Sequence, residues 1–172
     1  YDTSVRTRVT AGQDAIVEDI IAAAKKIMEL YPVERVGIGS AGRIDRENGI
    51  VITAGNLPFR DLPLAQRVSD ALGVPAILDN DGNCAVIGEY LAGVARGKKD
   101  VVMITVGTGI GGGIIVDGKM LTGAIGAGGE IGHMVLNRNE TARCNCGKQG
   151  CVEQYCSATG IVRMGKKALE NY

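Results

Sequence analysis

Cysteines 144, 146 and 151 fall within the eight residues CNCGKQGC, and this stretch constrains the chain more than any other. The sequence holds five cysteines, and Cys84 and Cys156 lie apart from the cluster. An odd count does not make a simple disulfide framework. Three thiolates cannot by themselves close the tetrahedron that zinc prefers, so a fourth ligand is needed. The chain contains a single histidine, His133, upstream of the cluster. A Cys₃His site of His133, Cys144, Cys146 and Cys151 is the completion, with Gly147 and Gly150 letting the backbone turn around the ion. The other reading is a loop of unpaired structural thiols, which gives no packing reason for three cysteines among glycines. Four protein ligands leave no position for water, so the zinc is expected to be structural. Its service would be to fix the imidazole: with one ring nitrogen on the metal, the other is a held N–H donor. Cys84 is expected to be a small buried hydrophobe within a helix, and Cys156 a structural thiol.

Composition narrows the class. Glycine supplies 26 of 172 residues, whereas aromatics are limited to five Tyr, one Phe and no Trp. Such a chain fits an α/β enzyme whose backbone closely approaches a ligand, not an aromatic-lined binding module. The formal net charge is zero, which gives no footprint for nucleic acid or an acidic membrane surface. No apolar run reaches the roughly 18 residues needed to span a bilayer, and no secretory leader is visible, so a cytoplasmic location is expected. The chain opens at Tyr1 without a Met, so the native start is expected upstream.

Periodicity predicts helices over 14–30, 62–72 (ending at Gly73), 83–94 and 158–169, the last with Ile161, Met164, Ala168 and Leu169 on one face. Strands are predicted at 34–40, 50–53, 74–80 and 101–106, with 40–49 as a polar loop. The continuous apolar run VVMITV (101–106) reads as a strand buried on both faces. IIVDGKML carries a DG hairpin turn. Strands alternating with helices give an α/β class. A lobe boundary is expected near Gly97 and Lys98, dividing the chain into 1–97 and 98–172.

Three further stretches carry chemistry. In VGTGIGGGI (106–114), five glycines in seven positions leave backbone N–H groups available to an anion, and a hairpin follows. The segment lacks a Walker lysine and a following helix, so it is neither a P-loop nor a dinucleotide fingerprint. A glycine-rich bend without a ligand is the alternative. LDNDGN (78–83) lies at the C-terminal end of a strand, where open α/β sheets bind ligands. Asp81 is a candidate base there and Asn80 a polar anchor, although one of them could serve as a helix N-cap. Glu130 precedes His133 by three residues, and Glu153 follows Cys151 by two. Carboxylates, an amide and an imidazole N–H suit a polyhydroxylated ligand, whose hydroxyls need both donors and acceptors.

Taken together, GIGSAGRID, LDNDGNCAVIGE, VGTGIGGGII, GAGGEIGH, CNCGKQGCVE and SATGIV resemble the ROK family of repressors, open reading frames and sugar kinases, most closely its bacterial glucokinases. The likeness runs from about Val36 to the end of the chain. It implies an actin-like, ribonuclease-H-like α/β fold in two lobes with the active site between them. It also implies phosphorylation of a hexose at the 6-hydroxyl by ATP with Mg²⁺. In that likeness Asp81 matches the catalytic base. Asn80, Glu130, His133 and Glu153 match sugar contacts, and Asn56 matches a region near the sugar. Thr108, Gly109 and Gly111 match the second phosphate-binding segment, and the four metal ligands match a zinc site. The SATGIV tail favours glucose over mannose, N-acetylglucosamine and N-acetylmannosamine, and the family implies a homodimer. Family kinases also carry an Asp-x-Gly-Gly-Thr loop on a first strand, and no such motif occurs here. The adenosine-binding segment would lie beyond Tyr172. A free chain of these 172 residues is therefore expected not to turn over ATP. The rival expectations are a sugar-responsive transcriptional repressor of the same family and a zinc-stabilised sugar-binding module without chemistry.

Overall fold

A computed structural model describes residues 1–170. Two compact units divide between Asp81 and Gly82. The first opens with α1 (Gly12–Met28), which buries Ile16 and Val17. Strand β1 (Val36–Ser40) runs parallel to β5 (Ala76–Asn80). Between them in sequence, β2 (Arg43–Asp45), β3 (Ile50–Thr53) and β4 (Arg60–Leu62) form an antiparallel sheet in that order. Helix α2 (Leu64–Leu72) follows. It ends at Gly73, which takes the left-handed conformation (φ 71°) and donates its N–H to the Ser69 carbonyl at 2.8 Å, as the sequence predicts. Val17, Val51, Leu62, Leu64 and Val68 are the sealed centre of this unit's core. Leu62→Ala should therefore lower stability by about 2–5 kcal/mol, read as the shift in a urea midpoint.

Strands β2 and β4 correct the sequence reading of a featureless polar segment at 40–49 and of a helix from residue 62. Each is three residues long with a single apolar side chain turned to the core, Ile44 or Leu62. Such strands carry too little alternation to register as a pattern. The β1 strand is also less buried than expected: its residues alternate, with Gly37 and Gly39 exposed.

Helix α3 (Asp81–Ala92) starts on the last residue of the first unit, and the second unit then carries an antiparallel sheet of β6 (Val101–Val106), β7 (Ile110–Val116) and β8 (Lys119–Met120). The DG turn between the last two has positive φ at both Asp117 (48°) and Gly118 (74°), the geometry that matches a right-handed strand twist. The 101–106 strand is half-buried on one face and open on the other, where Val102, Ile104 and Val106 are 65%, 58% and 68% exposed. Much of the glycine run lies within β7 and serves close packing. A Cβ at Gly112 would meet the Ile131 side chain and the Gly129 carbonyl, and one at Gly113 would meet the Gly82 carbonyl of α3. The compact units divide at the first turn of α3, between Asp81 and Gly82, and the expected lobe boundary at 97 and 98 lies beyond that helix. Helices α4 (Glu153–Cys156) and α5 (Ala158–Glu170) complete the unit. The helix predicted at 158–169 is present, but Ile161, Met164 and Leu169 are exposed. No described helix is long and apolar enough to cross a membrane.

Candidate functional site

His133 ends a short 3₁₀ turn, Ile131–His133, and its N–H donates to the Glu130 carbonyl at 3.1 Å. The cysteine loop folds back against it. Leu136 and Asn137 both donate to the Gly150 carbonyl, at 2.7 and 3.1 Å, and Cys144 donates to the Lys148 carbonyl at 2.8 Å. Gly147 and Gly150 both have positive φ (89° and 74°). The ligand atoms of His133, Cys144, Cys146 and Cys151 consequently gather within 4.8 Å of one another. Cys144 Sγ lies 3.6 Å from His133 Nδ1, and Cys146 Sγ lies 3.6 Å from Cys151 Sγ. Those separations match the edges, about 3.5–3.8 Å, of a tetrahedron with zinc–sulfur and zinc–nitrogen bonds of ordinary length.

The electrostatics of the cluster point the same way. Burial first, and then the two neighbouring sulfurs, push the Cys151 thiol up to about 12. Burial is also the main cause that raises Cys144. Burial acts on Cys146 too, but the Lys148 backbone N–H and the adjacent sulfurs outweigh it, and this thiol is lowered. Three crowded sulfurs resist ionising together without a cation among them, and a dication supplies that charge. The donor set therefore fits zinc. Of the other two cysteines, Cys84 is half-buried, not fully enclosed, and Cys156 is exposed.

With Nδ1 turned to the sulfurs, His133 Nε2 lies 3.9 Å from Glu130 Oε2, both side chains being partly open to solvent. That gap is too long for a direct hydrogen bond. Glu153, first in α4, sits on the opposite flank: its Oε2 accepts the Ile110 N–H at 2.9 Å, and its Oε1 lies 3.9 Å from Cys144 Sγ. Thr108 and Gly109 form the turn before Ile110, whereas Gly111 pairs with Thr105 inside the β6–β7 ladder. Neither the Thr108 nor the Gly109 amide donates to a protein group among the described residues. The structure thus brings Glu130, His133, Glu153, the three cysteines and the glycine-rich turn into one neighbourhood of the second unit.

Asn56, Asn80 and Asp81 belong to the first unit. Asn80 closes β5 and its Nδ2 donates to the Gly42 carbonyl at 3.1 Å. Asp81 is exposed and starts α3. Asn56 is exposed in the turn after β3.

A supporting network escaped the sequence reading. Glu140, whose side chain is 9% exposed, accepts from the Ala142 N–H (3.0 Å), the Tyr155 hydroxyl (2.7 Å) and Arg163 Nη2 (3.1 Å). Gln154 ties the same loop down, taking the Cys151 N–H on Oε1 at 3.1 Å and donating from Nε2 to the Ala142 carbonyl at 3.0 Å. Residues 140, 154, 155 and 163 share no local motif; a Gln three positions after a metal-binding Cys is the only hint. The Ala142 N–H first, then Tyr155 and Arg163, hold Glu140 at about 2 against an ordinary 4.5. A depressed carboxylate adds stability above its unfolded value and loses it as pH falls through the folded one. Between pH 4.5 and 2, the metal-free protein should therefore lose stability more steeply than its Glu140→Gln variant, read by melting temperature against pH.

A family model described as the ROK family matches residues 2–172. The glucokinase of Thermotoga maritima is 40% identical over 167 residues, covering 96% of this chain and 52% of that protein. The xylose repressor of Caldicellulosiruptor bescii is 36% identical over 135 residues, 78% of this chain and 34% of that one. Among solved structures, a ROK family glucokinase from Streptomyces griseus in complex with glucose and AMPPNP superposes with a TM-score of 0.85 at 40% identity, covering 95% of this chain and 51% of that one. This chain belongs to the ROK family, and its fold is the actin-like α/β fold of the ROK sugar kinases. It spans about half the length of the glucokinases it matches.

Proposed function

We propose that the chain carries the sugar-reading part of an ATP-dependent hexose kinase, with glucose as the favoured substrate. The observation that carries this reading is the two-sided histidine. Nδ1 of His133 sits 3.6 Å from a thiol of the metal cluster, while Nε2 is turned toward the Glu130 carboxylate at a spacing that a hydroxyl could bridge. A donor and an acceptor so held read one sugar hydroxyl by both its lone pair and its proton. His133, Cys144, Cys146 and Cys151 would hold zinc, which when bound fixes the imidazole tautomer and supplies no open coordination position.

In this mechanism Asp81 accepts the proton of the attacking sugar hydroxyl, while Asn80, Glu130, His133 and Glu153 orient the ring, with Asn56 at its margin. Backbone groups of Thr108 and Gly109 receive phosphate oxygens, with Gly111 held in the adjoining ladder as support, and Mg²⁺ arrives with ATP as part of the substrate. A sugar lacking a matched hydroxyl leaves buried polar groups unpaired, at about 1–3 kcal/mol each. The reading includes a cytoplasmic homodimer.

Similarity to a xylose repressor at 36% identity supports a second reading, a sugar sensor without chemistry. A coupled ATP-consumption assay on the full-length protein decides between them. Glucose should give the highest kcat/KM among glucose, mannose, N-acetylglucosamine and N-acetylmannosamine. Sugar binding by calorimetry with no phosphorylation of any of the four would sink the kinase reading in favour of the repressor.

A further inference from the structure

The segment that follows the metal cluster fastens the glycine-rich turn at three points. Glu153 Oε2 accepts the Ile110 N–H at 2.9 Å, the Ala158 N–H donates to the Gly107 carbonyl at 2.9 Å, and the Thr159 hydroxyl donates to the Thr108 carbonyl at 2.7 Å. The clasp is braced from within. Ser157 is fully buried, takes the Gly160 N–H on its hydroxyl at 3.0 Å as a helix cap does, and donates to the Glu153 carbonyl at 2.7 Å. A Cβ at position 109 would run into the Glu153 carboxylate, so glycine there is a condition of the clasp. The start of α4 is set in turn by the metal cluster: Cys151 is fully buried, its N–H is held by Gln154, and Val152 donates to the Met134 carbonyl beside His133 at 2.9 Å.

The geometry points to Glu153 as a positioning residue that transmits metal occupancy at the cysteine cluster to the shape of the turn at 107–110. One carboxylate oxygen is committed to the turn, and only Oε1, on the Cys144 side, remains for a sugar hydroxyl. Loss of the ion releases Cys144 and Cys151, lets Glu153 drift, and deprives the Ile110 amide of its acceptor. The metal thereby governs the phosphate side of the site as well as the imidazole. The coupling stands on the contacts above; only its consequence for ATP rests on the proposed kinase reading.

Amide hydrogen exchange on the full-length protein tests it. Removing zinc by chelation should speed exchange at Ile110 by about tenfold or more, the scale of one hydrogen bond to a charged acceptor, while the β6 ladder amides keep their rates. Zinc-loaded Glu153→Ala should show the same acceleration without loss of metal. Thr159→Val, which touches neither the cysteines nor the proposed sugar contacts, should retain zinc, loosen 107–110, and raise KM for ATP while leaving that for sugar alone. Unchanged Ile110 exchange in chelated protein that remains folded, or in zinc-loaded Glu153→Ala, overturns the proposal. The phosphate reading fails separately: a non-hydrolysable ATP analogue that gives no protection at 107–110 refutes that role and leaves the coupling intact.

Discussion

Asp81→Asn in the full-length protein should lower kcat by about 10²–10⁴ while sugar affinity stays near its starting value, since that is the range a positioned general base supplies. The substitution is chosen for what it preserves. Asn has nearly the volume of Asp and is equally accepted at a helix start, so α3 should begin where it does now. On the proposed kinase reading, what is lost is the ability to take a proton from a hydroxyl as its oxygen attacks phosphorus. Phosphoryl transfer otherwise depends on placement and charge stabilisation, which this change leaves in place. The paired measurements are steady-state turnover and calorimetric sugar binding. Parental turnover would remove Asp81 from the mechanism, and loss of sugar binding equal to the loss of rate would make it a binding residue only.

Cys151→Ser should cost more than about 100-fold in zinc affinity, beyond what removing a supporting group costs. Cys151 is fully buried, and its sulfur is one of four ligand atoms that lie within 4.8 Å of one another. A serine hydroxyl does not ionise to replace a thiolate, and the remaining three ligands cannot close the tetrahedron. The expected results are a metal content well below one per chain by elemental analysis, a lower melting temperature, and a raised KM for sugar because His133 has lost its anchor. Cys156→Ser is the control: this thiol is exposed and outside the cluster, so metal content should not change. Metal loss with unaltered sugar affinity would separate the zinc from sugar recognition.

Features written in consecutive residues were legible before any coordinates. The Gly73 cap, the Asp117–Gly118 turn and the Cys₃His group each depend on residue types whose backbone or ligand chemistry leaves few alternatives. What escaped depends on residues far apart in sequence. Glu153 and Ile110 are 43 positions apart, and Glu140 and Arg163 are 23 apart; no spacing rule connects them. The glycines of the 107–110 turn and of β7 were readable as unusual but ambiguous in purpose. Gly109 clears a carboxylate, Gly112 a loop and Gly113 a helix, and each purpose belongs to a neighbour the sequence does not reveal. The VVMITV strand misled for a related reason: apolar side chains on both faces say what a strand can cover, not what covers it.

The two-stranded β1–β5 sheet and the bare side of β6 have a practical consequence at the bench. Parallel strands are stable when enclosed, and the exposed apolar side chains of Ile77, Val102, Ile104 and Val106 invite association with other copies. Residues 1–172 expressed alone should accordingly self-associate as concentration rises, so light-scattering controls belong in every binding titration made with that piece.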